Sequence, residues 1–282
     1  MVDWDRVGTI ALGADLSVRR VGFGGAWLTG PGTFGPPPDP DQASLALRRA
    51  VDRGIQLVDT ADCYGPEVSE RLIAETLWPY PDDVVVSTKG GRVALGHGQW
   101  RPDGRPEHLV NALDASLARL RLDHVDLYQL NAVDPQVPLA DSLGALEGQR
   151  VRGKIRHIGI CNVDVEKLDD ACRVARIVSV QDRFDLTTRE NEPVLRACER
   201  RGIAFLAWFP PDNERIAPPG SALERVAATH RASPAQVALA WLVQSSSVTV
   251  PLPGATRPEW IDEDLAALEL GLGDDELEQL SS

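Results

Sequence analysis

The chain has no excess of basic residues, no closely spaced cysteine pair and no apolar run long enough to cross a bilayer. Each absence removes a class of function. Lysine and arginine total 29 against 42 aspartates and glutamates, a formal net charge of −13 with a pI near 4.8. A surface of that sign repels nucleic-acid phosphates and anionic lipid headgroups, so neither is expected as a partner. The four cysteines, Cys63, Cys161, Cys172 and Cys198, show no CxxC or CxxH spacing, and no structural zinc is expected. The opening "MVDWDRVGTI" lacks the basic and apolar regions of a secretory signal, so the thiols are expected reduced, in the cytoplasm. No stretch approaches the roughly 20 apolar residues of a membrane span. Low complexity is confined to "TGPGTFGPPPDP" (29–40), which reads as a loop.

What is present is 282 residues, 43% of them hydrophobic, enough for two ordinary domains or one large α/β barrel. Eight β-rich runs alternate with amphipathic stretches: "VGFGG" (21–25), "IQLVDTA" (55–61), "DVVVSTKGG" (83–91), "HVDLYQLN" (124–131), "RHIGICN" (156–162), "IVSVQDRF" (177–184), "IAFLAWFP" (203–210) and "SVTVPLPG" (247–254). The helices between them carry start and stop signals. Asp39, Pro40 and Gln42 open one that Gly54 closes, and Ser233, Pro234 and Gln236 open another. Strands apolar throughout and separated by helices are parallel and covered on both faces. Eight units without a break in composition predict one α/β domain over residues 1–282, a single (β/α)8 TIM barrel. "VGTIAL" and "LSVRRV" around "GAD" predict an N-terminal β-hairpin that plugs its bottom.

A barrel places its chemistry at the C-terminal ends of its strands. Strand two ends in Asp59 with Tyr64 in the turn beyond, strand three in Lys89, strand four in Asn131 and strand five in Cys161 and Asn162. Strand six carries Gln181, strand seven ends in Trp208 and strand eight in "PLPGATR". Aspartate, tyrosine and lysine converging on one mouth predict a phenol whose pKa is lowered by Lys89, with Asp59 holding the lysine charged. Such a tyrosine passes a proton to or from a carbonyl or alcohol oxygen. Asn131 has two readings: a turn residue that bonds its own backbone, or a group facing the reaction.

These residues resemble the aldo-keto reductases, barrel enzymes that reduce aldehydes and ketones with NADPH. The resemblance covers nearly the whole chain. It rests on "DTADCYG" (59–65), "STKGG" (87–91), "GKIRHIGICN" (153–162), "VQDRF" (180–184), "PAQVALAWL" and "PLPGATR", and is nearest a bacterial subgroup with "WFP" after strand seven that includes pyridoxal reductases. It implies catalytic roles for Asp59, Tyr64, Lys89 and Asn131, the last standing where the family has histidine in "LYQLH". It implies that Asn162 and Gln181 bond the nicotinamide amide of NADP(H) and that Trp208 stacks on its ring. Phe209, Pro210, Gly254, Thr256, Arg257, Glu263 and Asp264 would hold the rest of the cofactor. Asparagine donates a hydrogen bond but cannot relay a proton as imidazole does.

Several positions depart from the family pattern. The glycine-rich loop after strand seven is here "PPDNERIAPPG" (210–220), with Pro211 offering no N–H and with Asp212 and Glu214 opposing a diphosphate. Asp182, Cys161, Trp260 and Asp264 replace the usual residues at their positions. "GFGGAW" (22–27) lacks the spacing and helix of a dinucleotide fingerprint and reads as barrel-floor packing. Cys161 reads as a small buried substitute for serine. His157 lies at the start of strand five, where it reads as structural. Trp27 and Trp100 are candidate pocket walls, although Trp27 reads equally as a loop anchor and His97 as an exposed loop residue. The chain stops at "LGDDELEQLSS", so the pocket is expected to be open, bounded by 27–38, 92–106 and 209–219, and able to take a polycyclic substrate. The combined departures leave an alternative: a redox-neutral cyclase, dehydratase or isomerase of secondary metabolism with a decayed cofactor site. A non-catalytic cofactor sensor has no need of the Asp/Tyr/Lys trio.

Overall fold

The computed structural model describes residues 2–96, 98–208 and 220–281. Within them eight parallel strands form one sheet: β1 (Gly22–Gly24), β2 (Leu57–Asp59), β3 (Val85–Gly90), β4 (Val125–Leu130), β5 (Ile155–Cys161), β6 (Ile177–Arg183), β7 (Ala204–Trp208) and β8 (Thr249–Pro251). Each pairs with the next in chain order. Such an order, with a helix in every connection, is the (β/α)8 barrel that the alternating runs predict. The ring closes between β1 and β8 through one backbone hydrogen bond among the described residues, Gly24 N to Pro253 O at 2.8 Å. The approach requires glycine, since a Cβ on Gly24 would stand 2.8 Å from the Leu252 carbonyl oxygen. The start of "GFGGAW" does pack at the barrel floor: Gly22 pairs with Leu57, and a Cβ there would stand 2.7 Å from Leu252. Its end rises to the C-terminal rim, where the seam brings two backbones together, and runs on into a 3-10 turn, Gly25–Leu28.

The helices begin where their capping residues predict. Asp39 accepts from Gln42 N at 3.0 Å ahead of helix Pro40–Asp52. Ser233 and Gln236 form a reciprocal capping box at helix Pro234–Gln244. Inside the barrel an apolar floor joins Leu57, Val85, Leu127, Leu206 and Val250 to Leu12 and Val18. The last two come from the N-terminal hairpin, Thr9–Ala11 paired with Ser17–Arg19, which closes the bottom. His157 sits at that end, 2.9 Å from Asp15 Oδ1. Residues 92–106 are not the loop that the sequence implied. Arg92–Gly96 and Gln99–Pro102 pair antiparallel, so a second hairpin stands on the rim. His97 lies outside the described residues, as do Phe209, Pro210, Pro211, Asp212 and Glu214. No helix among the described residues is long and apolar enough to cross a membrane.

Candidate active site

Strand residues two apart point the same way. One step above the apolar floor, the inward positions turn polar: Asp59 above Leu57, Ser87 and Lys89 above Val85, Gln129 above Leu127. Lys89 and Asp59 are almost wholly buried, with side chains 1% and 3% exposed, and pair at 2.6 Å. Asp59 Oδ1 accepts from Ser87 Oγ and Gln129 Nε2, both at 2.9 Å, which leaves Oδ2 to Lys89. Lys89 Nζ also donates to the Thr60 carbonyl at 2.8 Å. An ammonium has three N–H bonds. With two directed to fixed acceptors, the third meets Tyr64 Oη at 3.4 Å.

Tyr64 comes from the loop after β2, and that loop is pinned on both sides. Thr60 Oγ1 donates to Ser69 Oγ at 2.8 Å, Ser69 donates to the Gly25 carbonyl at 2.7 Å, and Gly65 N donates to the Thr33 carbonyl at 3.0 Å. Beneath the loop, Glu70 is fully buried between Arg119 and Thr88, each at 2.6 Å. The electrostatics differ from the sequence expectation. Lys89 does favour the phenolate, but burial outweighs it, and Tyr64 is pushed up to about 12. Desolvating an anion costs more than one neighbouring cation returns. Tyr64 therefore keeps its proton at neutral pH, as a donor requires. Burial opposes the charge of Lys89 as well, yet Asp59 and the groups beside it hold the ammonium above its ordinary range.

Asn131 is buried just beyond β4. Its amide donates to the Gly90 carbonyl at 2.9 Å and its own carbonyl accepts from Asn162 Nδ2 at 2.8 Å. Among the described residues its side-chain Nδ2 meets only the Cys63 sulfur, at 3.5 Å. A thiol is a weak acceptor, so this donor is held in the mouth with little competition for it. Burial pushes the Cys63 and Cys161 thiols up to about 12, which leaves Cys161 without nucleophilic character.

Asn162 adopts the left-handed conformation at φ +57°, turning the chain out of β5. Its amide donates to the Gln181 carbonyl at 3.0 Å. Gln181 Nε2 is buried without a partner among the described residues. At the end of β7, Trp208 is 38% exposed, with the Arg183 guanidinium 5.9 Å from its ring. Trp27 is folded onto Gly254, where a Cβ would lie 1.8 Å from the indole, so it anchors the β1–β8 seam. Thr256 is half-buried, and exposed Arg257 caps helix Pro258–Ala267 while resting over Trp260 at 5.6 Å. Glu263 is already engaged by the Ser233 hydroxyl at 3.2 Å. Trp100 projects from the rim hairpin, 37% exposed. No group of His, Cys, Asp and Glu among the described residues could hold a metal.

Two groups escaped sequence reasoning: Ser87 and Gln129, which fix Asp59. The signal was there. Each lies two residues before a candidate, and Gln129 faces Lys89 across the β3–β4 ladder. Gly159 makes room for Gln129, since a Cβ there would stand 2.9 Å from Gln129 Cγ.

Three carboxyls carry raised pKa values. Burial and then Glu70 push Asp62 up to about 8, burial and Glu263 push Asp264 up to about 7, and burial pushes Asp182 up to about 6. Each holds a proton when folded that the unfolded chain, with an ordinary value of 3.8, releases. Their contribution to stability is therefore full below that value and lost as pH rises through the folded values. Asp62→Asn should raise the melting temperature by roughly 10 °C at pH 9 and by only about 1 °C at pH 4, near the unfolded value. Equal shifts at both pH values would mean that Asp62 is already ionised in the folded chain.

The profile of the aldo/keto reductase family matches residues 20–282. An uncharacterized oxidoreductase of Schizosaccharomyces pombe is 38% identical over 271 residues, covering 96% of this chain and 88% of its own. Pyridoxine 4-dehydrogenase of Escherichia coli is 36% identical over 279 residues, covering 96% of both. Among solved structures, an aldo-keto reductase from Klebsiella pneumoniae in complex with NADPH superposes with a TM-score of 0.81 at 26% identity, covering 96% of this chain and 93% of that one. Glycerol dehydrogenase from Gluconobacter oxydans does so at 0.82 and 26%, with the same coverage.

Proposed function

This chain belongs to the aldo/keto reductase family, and from that membership we propose that it is an oxidoreductase that reduces an aldehyde or ketone with NADPH, Tyr64 donating the proton. One observation carries the reading: the buried Asp59–Lys89–Tyr64 array, in which Lys89 has a single N–H left and that N–H meets the phenol oxygen.

The residues present fit the cofactor. Gln181 Nε2 is a buried donor lacking an acceptor, beside an Asn162 whose backbone turns outward, and both suit the carboxamide of nicotinamide. Trp208 offers an exposed indole face for the ring. Arg257, at a helix N-terminus, suits a phosphate. NADPH, when bound, supplies the hydride. Tyr64 gives its proton to the carbonyl oxygen, and Lys89 stabilises the phenolate left behind. Asn131 Nδ2 orients the same oxygen, a task that needs a donor and no titration. Asp59, held by Ser87 and Gln129, keeps Lys89 charged and aimed.

A second reading, a redox-neutral enzyme on this scaffold, draws on the adenosine side. Glu263 is tied to Ser233, and Asp264 stands where the family places asparagine. Titration with NADPH and NADH, followed by tryptophan fluorescence and thermal unfolding, separates the two. The reductase reading expects saturable quenching of Trp208. It also expects a stabilisation of about 2.7 kcal/mol when NADPH is a hundred times its Kd, with NADH weaker. No binding at millimolar cofactor would overturn it and leave proton-transfer chemistry at the same mouth.

A further inference from the structure

We propose that Arg92 is an oxyanion-recognition residue of the barrel mouth, so that the carbonyl substrate carries a carboxylate or phosphate. This rests on the reductase reading and names its substrate class.

Arg92 lies three residues beyond Lys89, at the root of the rim hairpin. Gly91 turns the chain out of β3 at φ +100°, and Asp103 N donates back to the Gly91 carbonyl at 3.0 Å, fixing that root. That root stands at the C-terminal end of β3, the end of the ring that carries Lys89 and Asn131, and Arg92 is half-buried there. Its charge is felt by Cys63 after β2 and by Cys161 at the end of β5, as that position requires. Cys63 is the residue that Asn131 Nδ2 meets, and it precedes Tyr64 in the chain.

Among the described residues Arg92 has neither a hydrogen bond nor an ion pair. Every other half-buried arginine described has one or the other: Arg19 and Arg20 on carbonyls, and Arg53, Arg119, Arg156, Arg183 and Arg189 on carboxylates. The remaining described arginines without an acidic partner are exposed. In a chain with 42 acidic residues, partners are not scarce. A partly desolvated cation left unpaired costs stability, and an oxyanion ligand removes that cost. The planar fork of arginine fits carboxylate and phosphate through two parallel hydrogen bonds. Trp100, 37% exposed, adds an aromatic face on the same rim hairpin. The substrate that fits is an apolar or aromatic carbonyl compound with an anionic group at one end.

The test compares matched aldehydes: benzaldehyde, 4-carboxybenzaldehyde and 4-formylphenyl phosphate, each with NADPH. In the native protein, kcat/KM should favour at least one anion by roughly ten- to a hundredfold, the effect of a hydrogen bond to a charged group. The preferred arm tells carboxylate from phosphate. Arg92→Met should bring that ratio close to one, with Arg92→Lys in between, and added salt should erode the preference. A ratio near one in the native protein, or a ratio unmoved by Arg92→Met, overturns the proposal. A turnover-free arm uses tryptophan quenching by 4-methylbenzoate and 4-methylphenyl phosphate against 4-methylbenzamide. If no aldehyde is reduced but anion binding disappears in Arg92→Met, the anion site stands and the reductase reading falls. If benzaldehyde is reduced without anion preference, the reductase reading stands and Arg92 is not its selector.

Discussion

Tyr64→Phe should lower kcat/KM for aldehyde reduction by about three orders of magnitude and leave the fold intact. The substitution removes one oxygen. The ring remains, and with it the approach of Lys89 Nζ to 4.9 Å from its centroid. The hydrogen bond lost is long, 3.4 Å, so little stability goes with it. What goes is the proton. A positioned acid contributes roughly 10²–10⁴-fold, and Asn131, the other side-chain donor held at the mouth, does not titrate. Steady-state kinetics beside a cofactor titration would separate lost chemistry from lost binding. Full turnover by the variant would remove Tyr64 from the reaction and, with it, both catalytic readings.

Lys89→Met should be damaging in two ways at once. It strands the Asp59 carboxylate, 3% exposed, with only Ser87 and Gln129 as donors. Breaking a buried ion pair from one side costs about 3–5 kcal/mol, which for a chain of this size lowers the melting temperature by roughly 10 °C. Activity should fall with it, because Tyr64 loses the cation that stabilises its phenolate. The double variant Lys89→Met/Asp59→Leu distinguishes the effects. Replacing both charges by apolar groups of similar volume should recover most of the stability and none of the activity. A single variant as stable as the native protein would mean that the pair is not desolvated. Because the folded pKa of Lys89 is raised, the lysine's contribution is full below its ordinary range and is lost only as pH rises above it.

The sequence and the structure agree where local pattern decides, and part where packing does. The eight strands were legible because each is a short apolar run between capped helices, and the strand ends because the barrel rule says where to look. Asp59, Lys89 and Asn131 could be placed from period two alone. Ser87 and Gln129 follow the same period but read as ordinary strand residues, since serine and glutamine carry no chemistry until they meet Asp59. Arg92 looked like part of a loop because "RVALGHGQWRP" is too rich in glycine to read as a hairpin. The direction of the Tyr64 shift could not be read at all: it is a contest between burial and charge, and burial is a property of the closed ring. Glu263 likewise looked free for a cofactor until helix Pro234–Gln244 brought Ser233 against it.

The seam between β1 and β8 gives the ring an unequal stiffness. On the far side, β3, β4 and β5 are zipped by continuous ladders, from Ser87 paired with Leu127 to Leu130 paired with Ile160. At the seam, β8 reads Thr-Val-Pro and is followed by Leu252 and Pro253, so two of its five positions have no amide to give. Among the described residues one backbone bond, from Gly24, joins the edges. The least-bonded meridian among the described residues is thereby the one that carries Trp27 and Gly254, across the ring from Asn131 and Asn162. Local opening is expected at that meridian before the strands that hold Lys89 and Asn131 part.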